Sequence, residues 1–210
     1  ASFFKKSFTK LGGEIVATIS NTLADERELI LKRFLDVSVA GVALVALSPL
    51  LGMVWCLVRL TSPGPAFFVQ ERVGLNKRLF KFYKFRTMVQ NAEALQADLE
   101  AHNETNGATF KMRNDPRITP LGRILRKTRL DEVPQFINVL RGEMSLIGPR
   151  PERLCFIRKL EKDVPHYRER LLILPGITGL AQVVNGYDES LDSVRRKVEL
   201  DRQYIREYGL

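Results

Sequence analysis

Cysteine and histidine are scarce in this chain, with two of each among 210 residues. Cys56 lies inside an apolar run and Cys155 far from it. This excludes a disulfide framework and a Cys/His metal cluster, and makes a reducing compartment the default. Acidic charge is also in short supply. The 24 Asp and Glu are outnumbered by 33 Lys and Arg, leaving a net charge of +9. That balance selects an anionic partner: nucleic acid, a phospholipid surface or a phosphorylated substrate. Internal repeats and low-complexity tracts are missing, and the length suits one core of catalytic size. The chain begins on Ala1 instead of methionine, which fits a fragment or a processed form.

Charge is wholly missing from Val37 to Val58, between Asp36 and Arg59. A run of that length is enough to span a bilayer, and too long and too internal for a signal peptide. A buried helix of a soluble core is the competing reading. The flanks speak for membrane insertion of an unusual kind. Arg27, Lys32 and Arg33 precede the run and Arg59, Arg72, Lys77, Arg78, Lys81 and Lys84 follow it, so the positive-inside rule puts both ends on the cytoplasmic side. Pro49 removes a backbone donor near the middle, and the Ser48 hydroxyl can serve a carbonyl so freed. The expected element is a re-entrant helix-break-helix over residues 31–62, broken at Ser48 and Pro49.

Residues 1–30 read as a linker or the end of a preceding region, leading into a helix. Residues 63–210 read as the catalytic domain. Pro63, Gly64 and Pro65 make a sharp exit from the apolar run, and the short apolar stretch after them ends in a turn at Gly74. Arg78–Met88 mixes aromatic and basic residues in a strand. RNA stacking is weighed and set aside, because no RNA-binding signature accompanies it. An exposed helix is expected over residues 91–101. Leu121, Ile124 and Leu125, then Val133, Phe136, Ile137 and Leu140, fall at helical spacing, so two short helices meet at Asp131 and Glu132. The stretch after Glu189 reads as a final amphipathic helix.

The acidic pair has two readings. Asp131 stands where a helix N-cap would be, with Glu132 in the first turn and Pro134 harmless there, which needs no function. Yet Arg117, Arg123, Arg126, Lys127, Arg129, Arg141 and Arg150 crowd the surrounding sequence. Clustered guanidiniums suit phosphate oxygens, and two carboxylates among them can hold a divalent cation. Both readings stand at this point. Arg86 is either a solvated strand end or a phosphate ligand. Gln135 and Asn138 either orient the acids or are ordinary helix-surface amides. Pro149 and Pro151 shape a rigid turn around Arg150, and Gly176 and Gly179 make a tight turn or approach substrate. His102 and His166 are taken as bystanders.

The segments KRFLDV, SPL, FRTM, DPRITPLGRILRKTRLDEVPQ, NVLRGEMSLIGPRPE and LPGITGLAQV resemble the bacterial sugar transferase family. These are polyprenyl-phosphate phosphoglycosyl transferases with a re-entrant membrane helix. The resemblance runs from about Leu31 to Asp201. It implies an α/β, mostly helical fold: a small catalytic core, the re-entrant helix, and amphipathic helices on the cytoplasmic face of the bacterial inner membrane. It also implies that Asp131 is the nucleophile, that Glu132 helps bind Mg²⁺, and that Arg126 and Arg150 hold phosphates. Larger relatives carry a membrane domain in front, of which residues 1–30 would be the remaining linker.

The implied reaction moves a sugar 1-phosphate from a nucleoside diphosphate sugar, with UDP the expected nucleotide, to polyprenyl phosphate. It proceeds by a ping-pong cycle through an aspartyl phosphosugar and is the first membrane step of glycoconjugate or exopolysaccharide assembly. A carboxylate approaching a diphosphate meets like charge, so surrounding cations must offset it. They are expected to lower the pKa of Asp131. Arg86, Arg117, Arg126, Arg129, Gln135, Asn138 and Arg150 are the candidate substrate-binding residues. Membrane lipids are expected partners, nucleic acid is not, and a homo-oligomer is left open. The competing function is a non-catalytic membrane scaffold binding anionic lipids. The transferred sugar is not legible; residues Gln182 to Asp188 are the place to look for it.

Overall fold

A computed structural model describes residues 5–11, 14–20, 26–95, 112, 114–185 and 190–207, with backbone alone before residue 26. Among these residues the chain is mostly helical, with three two-stranded sheets, which is the expected α/β class. The helix expected over residues 91–101 forms turns as far as residue 95, and the remainder lies outside the described residues, as does His102. Where a linker was expected, β1 (Lys5–Leu11) and β2 (Glu14–Ser20) pair as an antiparallel hairpin.

The long helix α1 (Glu26–Thr61) contains the whole uncharged run and carries Pro49 inside it. Proline at 49 leaves the Val45 carbonyl without its amide donor, since a helical N–H pairs four residues back. The Ser48 hydroxyl donates to that carbonyl at 2.8 Å, so the freed acceptor is satisfied, and α1 runs unbroken through Ser48 and Pro49 where a helix-break-helix was expected. The helix is long and apolar enough to cross a membrane. Its Val42, Val45 and Leu60 are about three-quarters exposed, whereas a soluble core helix would bury them.

What α1 does bury lies towards the two ends of the uncharged run, at Asp36 and Ala40 and at Val54 and Val58. Ala40 packs with Phe80, Phe82, Val139 and Met144, and Val54 and Val58 pack with Ala66, Phe85 and Leu125. Phe80, Phe82 and Phe85 belong to β4 (Leu79–Phe85), which pairs antiparallel with β3 (Phe67–Val73). Alternation in the strand sends Phe80 and Phe82 to one face. Leu125 is on α2 (Pro120–Thr128), Val139 on α3 (Phe136–Leu140), and Met144 immediately precedes β5 (Ser145–Ile147). A further cluster joins Val73 to α4 (Leu154–Asp163) and α6 (Leu191–Arg206), the expected last amphipathic helix.

Polar contacts fix the head of α1 to this domain. The Arg33 guanidinium donates to the Val139 and Leu140 carbonyls at 2.6 and 3.0 Å, a cation closing the C-terminus of α3. Asp36, 3% exposed, accepts from the Ser145 hydroxyl at 2.7 Å and the Leu146 amide at 3.1 Å. Asp36→Ala strands both donors and is expected to destabilise the protein by about 2–4 kcal/mol. Thermal melting in detergent checks this: Asp36→Asn, which keeps an acceptor, should lose less, and an unchanged midpoint for the alanine variant refutes it.

β5 pairs in parallel with β6 (Gly176–Thr178), followed by α5 (Leu180–Val184). A Cβ on Gly176 would lie 2.1 Å from the Gly148 amide nitrogen, and one on Gly179 2.3 Å from the Gly148 carbonyl oxygen. These glycines therefore serve close backbone packing beneath the Gly148–Pro151 loop, the plainer of the two readings the sequence allows.

Candidate active site

The acidic pair is set by a reversal of the chain. Thr119 caps α2 by accepting from the Gly122 amide at 2.9 Å, and Pro120 opens the helix. The helix stops at Arg129, whose φ of 60° is left-handed, and a 3-10 turn over Leu130–Gln135 follows. The Glu132 amide donates back to the Arg129 carbonyl at 3.1 Å. Neither carboxylate caps a helix: the cap position of α3 falls on Gln135, with no side-chain cap bond. The N-cap reading of Asp131 is therefore corrected, because the residues after it wind into a 3-10 turn instead of starting α3.

The two acids have different partners. Arg150 grips Glu132 with both terminal nitrogens, at 2.6 and 3.1 Å. Burial alone would raise the Glu132 pKa, but Arg150, with help from Lys84 and Gln135, holds it below the usual carboxylate range. Asp131 is 5% exposed, and its Oδ1 has no hydrogen-bond partner among the described residues. Burial, then the neighbouring Glu132 charge, push its pKa up, outweighing Lys84 and Arg126. The expected depression of the Asp131 pKa is thus reversed, because the guanidiniums nearby do not replace the water it has lost.

Lys84 is the residue the sequence reading passed over. It follows Phe80 and Phe82 at two-residue steps in β4, so strand alternation alone directs it inward. Burial, and then repulsion from Arg150 and Arg72, push its pKa down to about 8, against Glu132 and Asp131. Its ammonium also lies 5.7 Å from the Phe82 ring centre.

Other candidates divide cleanly. Arg126 faces Asp131 electrostatically, and its Nε donates to the Thr87 hydroxyl at 2.9 Å. Arg129 contributes the left-handed turn, with an exposed side chain. Gln135 is fully buried beside Glu132; its amide oxygen has no hydrogen-bond partner among the described residues, and its amide nitrogen helps to lower the Glu132 pKa. Three of the expected substrate ligands are engaged elsewhere. Arg86 donates to the Ser62 and Pro63 carbonyls at the exit of α1. Arg117 is buried in a forked pair with Asp115 at 2.7 and 2.9 Å and reaches the Ala92 carbonyl. Asn138 staples α3 to β4, donating to the Lys81 carbonyl and Glu143 and accepting from the Tyr83 amide. Burial of the fold's own carbonyls and carboxylates claims these groups before any substrate does.

The site is thus a buried carboxylate oxygen without a hydrogen-bond partner among the described residues, near Lys84 and Arg126, in a chain with one helix long and apolar enough to cross a membrane. The chain belongs to the bacterial sugar transferase family, whose description it matches over residues 27–210. It is 44% identical, over 86% of its length and 40% of the relative's, to a UDP-N-acetylgalactosamine-undecaprenyl-phosphate N-acetylgalactosaminephosphotransferase of Aeromonas hydrophila. It is 36% identical to the UDP-glucose:undecaprenyl-phosphate glucose-1-phosphate transferase of Escherichia coli K12, covering 96% of this chain and 41% of that one. A shorter relative, named a putative undecaprenyl-phosphate N-acetylgalactosaminyl 1-phosphate transferase of Bacillus subtilis, is 40% identical over 80% of its length. The chain thus spans about two fifths of the first two relatives.

Proposed function

We propose that this protein transfers a sugar 1-phosphate from a UDP-sugar to polyprenyl phosphate, releasing UMP, at the cytoplasmic face of the bacterial inner membrane. The observation that carries this reading is the buried, unpartnered Asp131 Oδ1 beside Lys84 and Arg126. The names of the relatives, each an undecaprenyl-phosphate sugar phosphotransferase, support it.

In the first half-reaction, Asp131 Oδ1 attacks the phosphorus that bears the sugar. The P–O bond to the nucleotide breaks, UMP leaves with the electron pair, and the phosphosugar stays on Asp131. In the second, an oxygen of the lipid phosphate attacks the same phosphorus, the aspartyl P–O bond breaks, and Asp131 returns as carboxylate. Loss of water makes Asp131 more basic and so a better nucleophile, while Lys84 and Arg126 screen the approaching diphosphate. Glu132, kept ionised by Arg150, retains lone pairs, and the buried Gln135 amide oxygen lies beside it without a partner. That set of hard oxygens fits Mg²⁺, which usually binds through one or two carboxylates plus substrate phosphates. Bound there, the ion would neutralise charge on the phosphate oxygens.

The re-entrant placement of α1 follows the same logic. The Asp36 and Val58 ends both pack on one domain. α1 is one helix through Pro49; a bend at that proline in the bilayer would keep both ends on one face and the site at headgroup depth, where a lipid phosphate can reach it. Exposed apolar side chains on short helices, Ile124 on α2 and Val183 and Val184 on α5, suit the same interface.

The testing experiment is UMP release from a panel of UDP-sugars by the protein in nanodiscs with Mg²⁺ and polyprenyl phosphate. Release confirms the transfer and names the sugar. No release from any sugar, with lipid binding retained, favours a scaffold.

Lys84 makes the reaction pH-dependent. Its cation is present below about pH 8 and lost above it, so kcat/KM should fall with unit slope through pH 8. Lys84→Arg should extend the plateau to higher pH, and Lys84→Met should lower kcat/KM about a hundredfold at pH 7. An unshifted limb in the arginine variant would assign the titration to another group.

A further inference from the structure

Three buried ionic residues, Arg170, Lys197 and Asp201, and the part-buried Glu152 lie away from the acidic pair and have no part in the reaction above. Arg170 and Asp201 are 5% and 2% exposed and form an ion pair. Lys197, 7% exposed, donates to Glu152 at 2.8 Å. Lys197 and Asp201 are one turn apart on the same face of α6, and both converge on the loop that carries Arg150.

The Arg170 Nη2 donates to the backbone carbonyl of Arg150 at 3.1 Å, while its Nε is turned to Asp201. Glu152 lies two residues after Arg150. Its carboxylate receives Lys197 and stands 3.6 Å from Arg72, and its carbonyl accepts from the Val73 amide at 3.0 Å. Arg72 donates in turn to the Pro151 carbonyl at 3.0 Å. Each residue from Arg150 to Glu152 is thus tied by a polar contact, and two of the ties lead to α6. Burial would raise the Glu152 pKa, yet Lys197, Arg170 and Arg72 bring it down to about 2, so the carboxylate stays charged.

Resting on the reading of Asp131 and Glu132 above, we propose that Lys197 and Asp201 are positioning residues. Acting through Glu152 and Arg170, they fix the Arg150–Glu152 loop so that Arg150 grips Glu132 with both nitrogens. The reason is geometric. A forked guanidinium–carboxylate pair needs both ends held to a fraction of an ångström. The loop holds Pro149 and Pro151 and forms no helix of its own, so it depends on neighbours for that register. A purely stabilising ion pair would be indifferent to the loop, and buried pairs are in any case weak stabilisers.

The test uses the full chain in nanodiscs with the UDP-sugar that wild type turns over. It compares the double variant Glu152→Gln with Lys197→Gln, the single variant Lys197→Arg, and Asp201→Asn. The double variant removes one charge of each sign at nearly constant shape, and Arg72 keeps its bond to the Pro151 carbonyl, so it is the form expected to fold even where Asp201→Asn does not. The expected result is a kcat at least tenfold lower in the double variant, KM for the UDP-sugar within threefold, and Lys197→Arg within threefold of wild type. Wild-type kcat in the folded double variant overturns the proposal. A loss of rate that only follows the fraction of folded protein overturns it too. Wild type that releases no UMP from any sugar fails the transferase reading itself, and Asp131→Asn that still releases it fails the assignment of the nucleophile; both results are seen before any α6 variant is compared.

Discussion

Asp131→Asn is expected to abolish UMP release, with kcat down by about 10⁴-fold or more, while the protein melts no lower than wild type at pH 7. The loss is large because the amide cannot form the aspartyl phosphosugar, and a reaction stripped of its nucleophile falls back on binding and electrostatics. The stability result follows from the sign of the pKa shift. A carboxyl whose folded pKa is raised holds more protons folded than unfolded, so it costs stability as pH climbs past its ordinary value. Replacing it by a neutral isostere removes that cost at pH 7. Incubation with UDP-sugar and no lipid acceptor should leave the phosphosugar on the Asp131 peptide of wild type, read by mass spectrometry, and nothing on the asparagine variant. Full UMP release by the variant would remove Asp131 from the chemistry.

Arg150→Lys comes next, with kcat/KM expected to fall about 10²- to 10³-fold. A lysine keeps the charge but loses the fork that meets Glu132 at 2.6 and 3.1 Å, and its strongly hydrated ammonium is poorly suited to this site. Without the fork Glu132 loses the main influence holding its pKa down, so the variant's activity should also decline at a higher pH than wild type on acidification. A pH profile and melting curve separate this from misfolding. A variant within tenfold of wild type at neutral pH would make Arg150 a structural residue.

How much of this was legible depended on whether a residue's role was local. Asp131 and Glu132 stand out because two acids within a basic field conflict with ordinary surface statistics. The Ser48 bond to Val45 was readable because proline chemistry acts on the carbonyl four residues back, whereas the break expected with it is not seen, since α1 stays helical through Pro49. Arg86, Arg117 and Asn138 looked like the other members of the field. Only the packed fold reveals that Ser62, Asp115 and Lys81 claim them. Lys84 was within reach through the two-residue period of β4, but a mixed aromatic and basic strand offers two plausible inward faces.

The sequence by itself determined the family resemblance, the long apolar helix, the strand before residue 88, the helices on either side of the acidic pair and the last amphipathic helix, and it raised the expectation of an anionic partner. All follow from composition, from periodicity or from contiguous motifs. The tertiary structure decided which cations lie near the acidic pair and which bond the fold's own carbonyls and carboxylates, the upward shift of Asp131, and the reach of α6 into the Arg150 loop. These depend on desolvation and on contacts between distant segments, such as Arg170 with Asp201 and Lys197 with Glu152. A guanidinium reads the same in a sequence whether its partner is a phosphate or a buried carbonyl; packing alone settles which of them it meets.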